Sequence, residues 1–144
     1  MKAVSAPTTL LDAPPGFPWD PRSTRSDDLS VSWVEAGPAD GPVVLLLHGE
    51  PTWSYLWRRV IPGLARAGCR AVAPDLPGFG RSDRPSDPSA LSAARLVRWM
   101  EAWMDRAGID GATLVGHDWG ALVGLRMAAD RPDRFERLVV ANGF

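Results

Sequence analysis

The residues most able to do chemistry in this chain lie in Gly116-His117-Asp118-Trp119-Gly120. A carboxylate stands between two glycines, directly after the aliphatic run 112–115 and before the helical pattern WGALVGLRMAAD at 119–130. In a strand–turn–helix setting of this kind the central side chain is thrust out above a sheet as a nucleophile. Flanking glycines are expected because the backbone is strained there and the chains crossing beneath leave no room for a Cβ. An aspartate is already ionised at neutral pH, with an ordinary pKa of about 3.9, so it needs no base to activate it. It suits displacement at a saturated carbon, which leaves an alkyl ester that water must cleave with the help of a general base. The competing structural role for Asp118 is that of a simple helix N-cap, which aspartate also favours.

The base is the difficulty. The chain has two histidines. His48 ends a buried run beside Gly49 and reads as an orienting residue, and His117 precedes Asp118 and should point away from its face. Trp119 has an indole N–H, a donor with no acceptor function, that could meet a departing anion. Asp75 and Asp83 frame the glycine-rich turn LPGFGRSDRP and are assigned to turn chemistry. Arg58, Arg59 and Arg66 fit a solvated helix face, and the tryptophan pairs 53/57 and 99/103 fit core faces better than a ligand cage. The single Cys69 forms no internal disulfide and reads as a small buried hydrophobe. No Cys/His cluster has metal-ligand spacing, and neither metal nor cofactor is expected.

These residues need elements to position them. LSVSWVEAG (29–37) alternates as a half-buried strand, VVLLLHG (43–49) and CRAVAPD (69–75) are short buried strands, and ATLVGHD leads into the turn at Asp118. Helical spacing runs through 53–68, where Pro62 must break or restart the helix, and through 89–108, with Leu91, Ala94, Val97, Met100, Trp103, Met104 and Ala107 on one face and Gly108 at the stop. RLVVANGF (137–144) is a last buried strand, and residues 1–28 are an irregular arm pinned by Phe17 and Trp19. Strands alternating with helices predict an α/β fold with a mostly parallel, doubly wound sheet over 29–144. Such sheets place ligands at strand carboxyl ends. Three polar turns fall there: His48-Gly49-Glu50, the turn at Asp75, and His117-Asp118-Trp119.

The 144 residues carry a net charge of −1, from 16 basic and 17 acidic side chains, with no basic block, which argues against nucleic acid and anionic membrane as partners. No window approaches the ~18 apolar residues of a membrane span, and the first residues lack a signal-peptide core; a cytoplasmic location is expected.

Two stretches, LLLHGEPTWSYLWRRVIPGLARAGCRAVAPDLPGFGRSDRP (45–85) and LVGHDWGALVGLRMAADRPDRFERLVVANGF (114–144), and more loosely the Pro-rich arm leading into VSWVEAGP, resemble the haloalkane dehalogenases of the α/β-hydrolase superfamily. The narrow signature is HGEPTWSYLWR followed by PDLPGFGRSD. The resemblance implies that Asp118 attacks the halogen-bearing carbon and that Trp119 binds halide through its indole. It implies an oxyanion hole made of the backbone N–H groups of Glu50 and Trp119, and a small haloalkane, water and halide ion as the only partners of a monomer. Glu at position 50 is similar to the subgroup whose second halide ligand is a tryptophan of the cap domain. The cap, the triad acid and the base histidine all lie, in the family, beyond the strand that ends this chain. The expectation is therefore the N-terminal part of an α/β-hydrolase core, truncated after about the sixth strand and inactive in turnover. Two alternatives are an epoxide hydrolase, which also uses Asp in an H-D-W-G turn, and a non-catalytic remnant that binds a small ligand. A serine esterase is disfavoured by Asp at the turn.

Overall fold

A computed structural model describes residues 2–5 and 14–143. The aliphatic run of the sequence becomes β4 (Val43–Leu47), and its position explains its composition. Val44 and Leu46 enter one apolar cluster while Leu45 and Leu47 enter another on the opposite face. A strand covered on both faces has no polar side to show.

Around β4, among the described residues, six strands form one sheet in the order β2 (Arg22–Ser26), β3 (Leu29–Ala36), β5 (Arg70–Pro74), β4, β7 (Ala112–His117) and β8 (Phe135–Ala141). The run β5–β4–β7–β8 is parallel, and β2 and β3 are added antiparallel. From β4 the chain moves first to β5 on one side and then to β7 on the other. The carboxyl ends of β4 and β7 thus flank a topological switch point, where open α/β sheets bind ligands. A separate two-stranded ladder pairs β1 (Ala3–Val4) with β6 (Arg84–Pro85).

Pro62 acts as expected. A 3-10 turn over Ser54–Arg59 ends before it, and α1 (Ile61–Arg66) restarts with Pro62 in its first turn, where a missing N–H costs nothing. Helix α2 (Ala93–Ala107) is capped by Ser92 and stopped by left-handed Gly108. It buries Leu96, Val97, Trp99, Met100, Trp103 and Met104, with Trp103 edge-on to Trp33 of β3 at 5.6 Å. Helix α3 (Trp119–Asp130) lies beside α2, and α2 and α3 cover the larger cluster while α1 and Phe17 cover the smaller.

Several expectations need correction. The arm is not irregular throughout, because Arg22–Ser26 is a strand; part of the arm, residues 1 and 6–13, lies outside the described residues. Phe17 does pin it: the ring is 5% exposed and sits edge-on to Trp19, Trp53 and Tyr55. Strand β3 is covered on both faces rather than one, since Val34 and Ser32 are also buried. Leu91 and Ala94 are exposed, because α2 starts only after Leu91 and turns Ala94 outward. Cys69 is half-buried. The last strand is an aliphatic run that is not buried, and it presents the open apolar edge expected of it: Leu138, Val139 and Val140 of β8 remain 49%, 49% and 47% exposed. Strand β8 ends the sheet and pairs only with β7 among the described residues, so its apolar side chains stay open to solvent. Phe144 lies outside the described residues.

Trp103 is fully buried and anchors α2 to the sheet. Trp103→Ala should lower the urea-unfolding free energy by about 3–5 kcal/mol, the range for emptying an aromatic core site. A loss below about 1 kcal/mol would show that α2 is not held through this ring.

Candidate active site

Asp118 sits between the last residue of β7 and the first of α3 with φ 53° and ψ −122°. A non-glycine residue holds such a backbone only when its surroundings over-determine it. Its neighbours do so. A Cβ on Gly116 would lie 2.6 Å from the Ala121 Cα, and one on Gly120 would run into the Leu47 carbonyl of β4. The flanking glycines are therefore required by close backbone packing of α3 on β7 and β4.

The strained turn aims the carboxylate across the switch point. Oδ1 accepts the Glu50 backbone N–H at 2.9 Å, and the carboxylate also accepts the backbone N–H of Trp119. Beyond that Trp119 contact, the side chain makes no capping bond to α3. The carboxylate thus does not behave as a simple N-cap; its partners are the first peptide of the helix and a loop from another strand. Those two N–H groups, Trp119 first and Glu50 second, hold the Asp118 pKa below the ordinary aspartate value. Asp118 is ionised at neutral pH.

All three polar strand ends foreseen from sequence meet here. His48, fully buried at the end of β4, accepts the Leu76 N–H on Nε2 at 2.8 Å, so its proton is on Nδ1, which donates to the Gly49 carbonyl at 3.0 Å. Burial pushes its pKa down, which keeps the ring neutral. Its role is to tie the β4 end to the β5 end. His117 shares a strand face with Val115 and Thr113 on β7, the face that packs against the smaller cluster. Trp119 is half-buried against the larger cluster. Arg59 and Arg66 are exposed as foreseen, whereas Arg58 folds back over the Tyr55 ring at 4.3 Å.

Sequence reasoning underrated two residues. Asp75 does more than shape a local turn: buried, it accepts Ser54 N–H on one oxygen and Arg81 N–H on the other, each at 2.8 Å. Thr52 donates to the Gly49 carbonyl through its hydroxyl at 2.6 Å and its N–H at 2.9 Å. A buried-acceptor role for Asp75 is suggested only by its place at a strand end, and nothing local marks Thr52. Among the described residues no group of three or more His, Cys, Asp or Glu is placed to hold a metal ion, and no helix is long and apolar enough to cross a membrane. A groove of about 540 Å³ between α2 and α3, lined by Val97, Leu122, Glu101 and Arg126, includes none of these site residues.

Residues 42–143 match the family described as alpha/beta hydrolase fold. The chain belongs to the α/β-hydrolase fold family. Within that family it is 46% identical over 149 residues to a haloalkane dehalogenase of Mycobacterium marinum, a match covering 100% of this chain and 50% of the relative. A tetrameric haloalkane dehalogenase from Paraglaciecola agarilytica NO2 superimposes with a TM-score of 0.90 at 36% identity, over 99% of this chain and 50% of that one. An epoxide hydrolase from Vigna radiata superimposes at 0.79 with 38% identity, over 85% and 39%. The chain spans about half the length of the curated relatives it matches. As an α/β-hydrolase core, β4, β5, β7 and β8 with α1, α2 and α3 form the expected parallel run, and β2 and β3 its antiparallel flank.

The lowered pKa sets an acid limb of stability. A carboxylate depressed in the folded state stabilises the fold fully above its unfolded pKa, and that contribution is lost as pH falls through the folded value. The stability difference between wild type and Asp118→Asn should therefore move against the wild type as pH drops below about 3.9. Parallel denaturation curves for the two proteins across that range would contradict the bonding described for Asp118.

Proposed function

We propose that this chain carries the attacking half of a haloalkane dehalogenase, with Asp118 as nucleophile. The observation that carries it is the contact of Asp118 Oδ1 with the Glu50 N–H, seconded by the Trp119 N–H. Oδ1 is held by the Glu50 N–H, and the carboxylate keeps the charge it needs to attack. The likeness to haloalkane dehalogenases supports the choice of substrate class.

In the first step Oδ2 forms a bond to the halogen-bearing carbon, the carbon–halogen bond breaks, and halide leaves with the electron pair. The Trp119 indole N–H stabilises that halide. In the second step water attacks the ester carbonyl, and negative charge develops on Oδ1, which already accepts the Glu50 N–H, with the Trp119 N–H as the carboxylate's second donor. These two groups act as an oxyanion hole, where one donor is typically worth 10²–10³ in kcat. That step needs a base. Both nitrogens of His48 are engaged, and His117 lies on the face shared with Val115, so neither histidine serves. The haloalkane, water and halide are the reactants; Glu50 leaves the second halide donor to a residue outside this chain.

Incubating the chain with a primary bromoalkane is expected to release no more than one bromide per chain and to leave an alkyl ester on Asp118, visible by peptide mass spectrometry. Asp118→Asn should show neither. Bromide release undiminished in that variant would remove Asp118 from the role, and steady release over many turnovers would place a base within these residues. Trp119→Phe keeps the ring but not the N–H, and should weaken halide binding by about tenfold or more, the worth of a hydrogen bond to a charged group. Unchanged quenching of tryptophan fluorescence by bromide would argue against the indole as ligand. The epoxide hydrolase likeness favours a second reading, in which the same Asp118 opens an epoxide ring. Alkylation by an epoxide but not by a bromoalkane would select it.

A further inference from the structure

The Glu50 N–H does not aim itself. It belongs to the peptide that joins Gly49 to Glu50, a planar unit whose C=O and N–H point in opposite directions. Whatever holds the Gly49 carbonyl therefore sets where the Glu50 N–H points. Three donors converge on that carbonyl: the Thr52 hydroxyl at 2.6 Å, the Thr52 N–H at 2.9 Å and the His48 Nδ1–H at 3.0 Å. The far end of the same peptide reaches Asp118 Oδ1 at 2.9 Å. His48 is in turn fixed by the Leu76 N–H on Nε2 and by the edge-on Phe79 ring at 5.6 Å.

We propose that Thr52, together with His48, is a positioning residue that clamps the Gly49 carbonyl and so aims the Glu50 N–H at the nucleophile. It rests on the reading of the Glu50 N–H as half of the oxyanion hole. The two residues divide the work. His48 couples the peptide to the buried end of β5, and Thr52 closes the turn from the solvent side, where the loop tip at Glu50 and Pro51 is exposed. Without the hydroxyl the carbonyl keeps two donors but loses its shortest bond, and the peptide can rock about its long axis. The N–H then swings off Oδ1.

The test uses isotopically labelled protein and nuclear magnetic resonance. Two readouts are the Asp118 carboxyl carbon titration and the Glu50 amide proton shift. Thr52→Val removes the hydroxyl at nearly constant shape, and Thr52→Ser keeps it. The valine variant should titrate Asp118 upward, toward the ordinary aspartate range, and move the Glu50 amide upfield; the serine variant should match wild type in both. A purely structural Thr52 would lower the melting temperature without moving either signal. Wild-type signals in Thr52→Val, or equal shifts in the serine and valine variants, overturn the clamp. Should the valine variant fail to fold, the wild type decides through the nitrogen shifts of His48. A neutral, Nδ1-protonated ring and an exchange-protected Thr52 hydroxyl are expected; an Nε2-protonated or charged ring at neutral pH, or a freely exchanging hydroxyl, overturns it. None of these readouts needs turnover. A protein that forms no ester yet shows these shifts loses the dehalogenase reading and keeps the clamp.

Discussion

The hydrogen bond from the Glu50 N–H to Asp118 Oδ1 is the interaction on which the rest of the site depends. It joins residues 68 apart in sequence across the carboxyl ends of β4 and β7, and it exists only because those strands are neighbours in a parallel sheet. On the β7 side, close packing of Gly116 and Gly120 forces the backbone of Asp118 into a conformation that lifts its side chain over the strand ends. On the β4 side, His48 and Thr52 hold one peptide in place. Neither side has the arrangement without the other.

In the proposed nucleophile role, this contact is what would let an aspartate stand in place of a serine at such a turn. A hydroxyl needs a base beside it before it can attack, whereas a carboxylate needs its charge kept and one oxygen left free. Two backbone N–H groups do the first by lowering the pKa, and the Glu50 N–H is the partner of Oδ1. The same donors face the oxygen that would carry charge during ester hydrolysis. Cleaving the ester remains a separate demand for a base, and the buried, doubly bonded His48 is built for holding backbone rather than moving protons.

The apolar exposure of β8 follows from the same sheet order. β4, β5 and β7 have neighbours on both edges and layers on both faces, so their side chains are buried or half-buried. β8 has identical chemistry, with Leu138, Val139 and Val140 in succession, yet remains about half exposed because it stands at the end of the sheet. Composition told that it was a strand; position decided whether it was buried.

Much of the architecture was legible from residues near one another in sequence. The unbroken run at 43–47, the buried face of α2 from Val97 to Met104, the restart at Pro62, the stop at Gly108 and the glycines around Asp118 each reflect a local rule of backbone geometry or side-chain periodicity, and each appears where it was read. The strand Arg22–Ser26 was missed because its pattern is polar and its order comes from pairing with β3. Ser32 and Val34 were placed on an open face because coverage of a sheet's second face is a property of the layers above it. Within the site, the sequence by itself determined the proposed nucleophile, Asp118, and the turn that presents it, since both lie within five consecutive residues. Only the tertiary structure decided that the Glu50 N–H would meet Asp118 Oδ1 and that His48 and Thr52 would converge on the Gly49 carbonyl behind it. Each of these bonds has a backbone group at one end, which every residue possesses; the Glu50 N–H was expected only through the family resemblance, and nothing in the sequence marked Thr52.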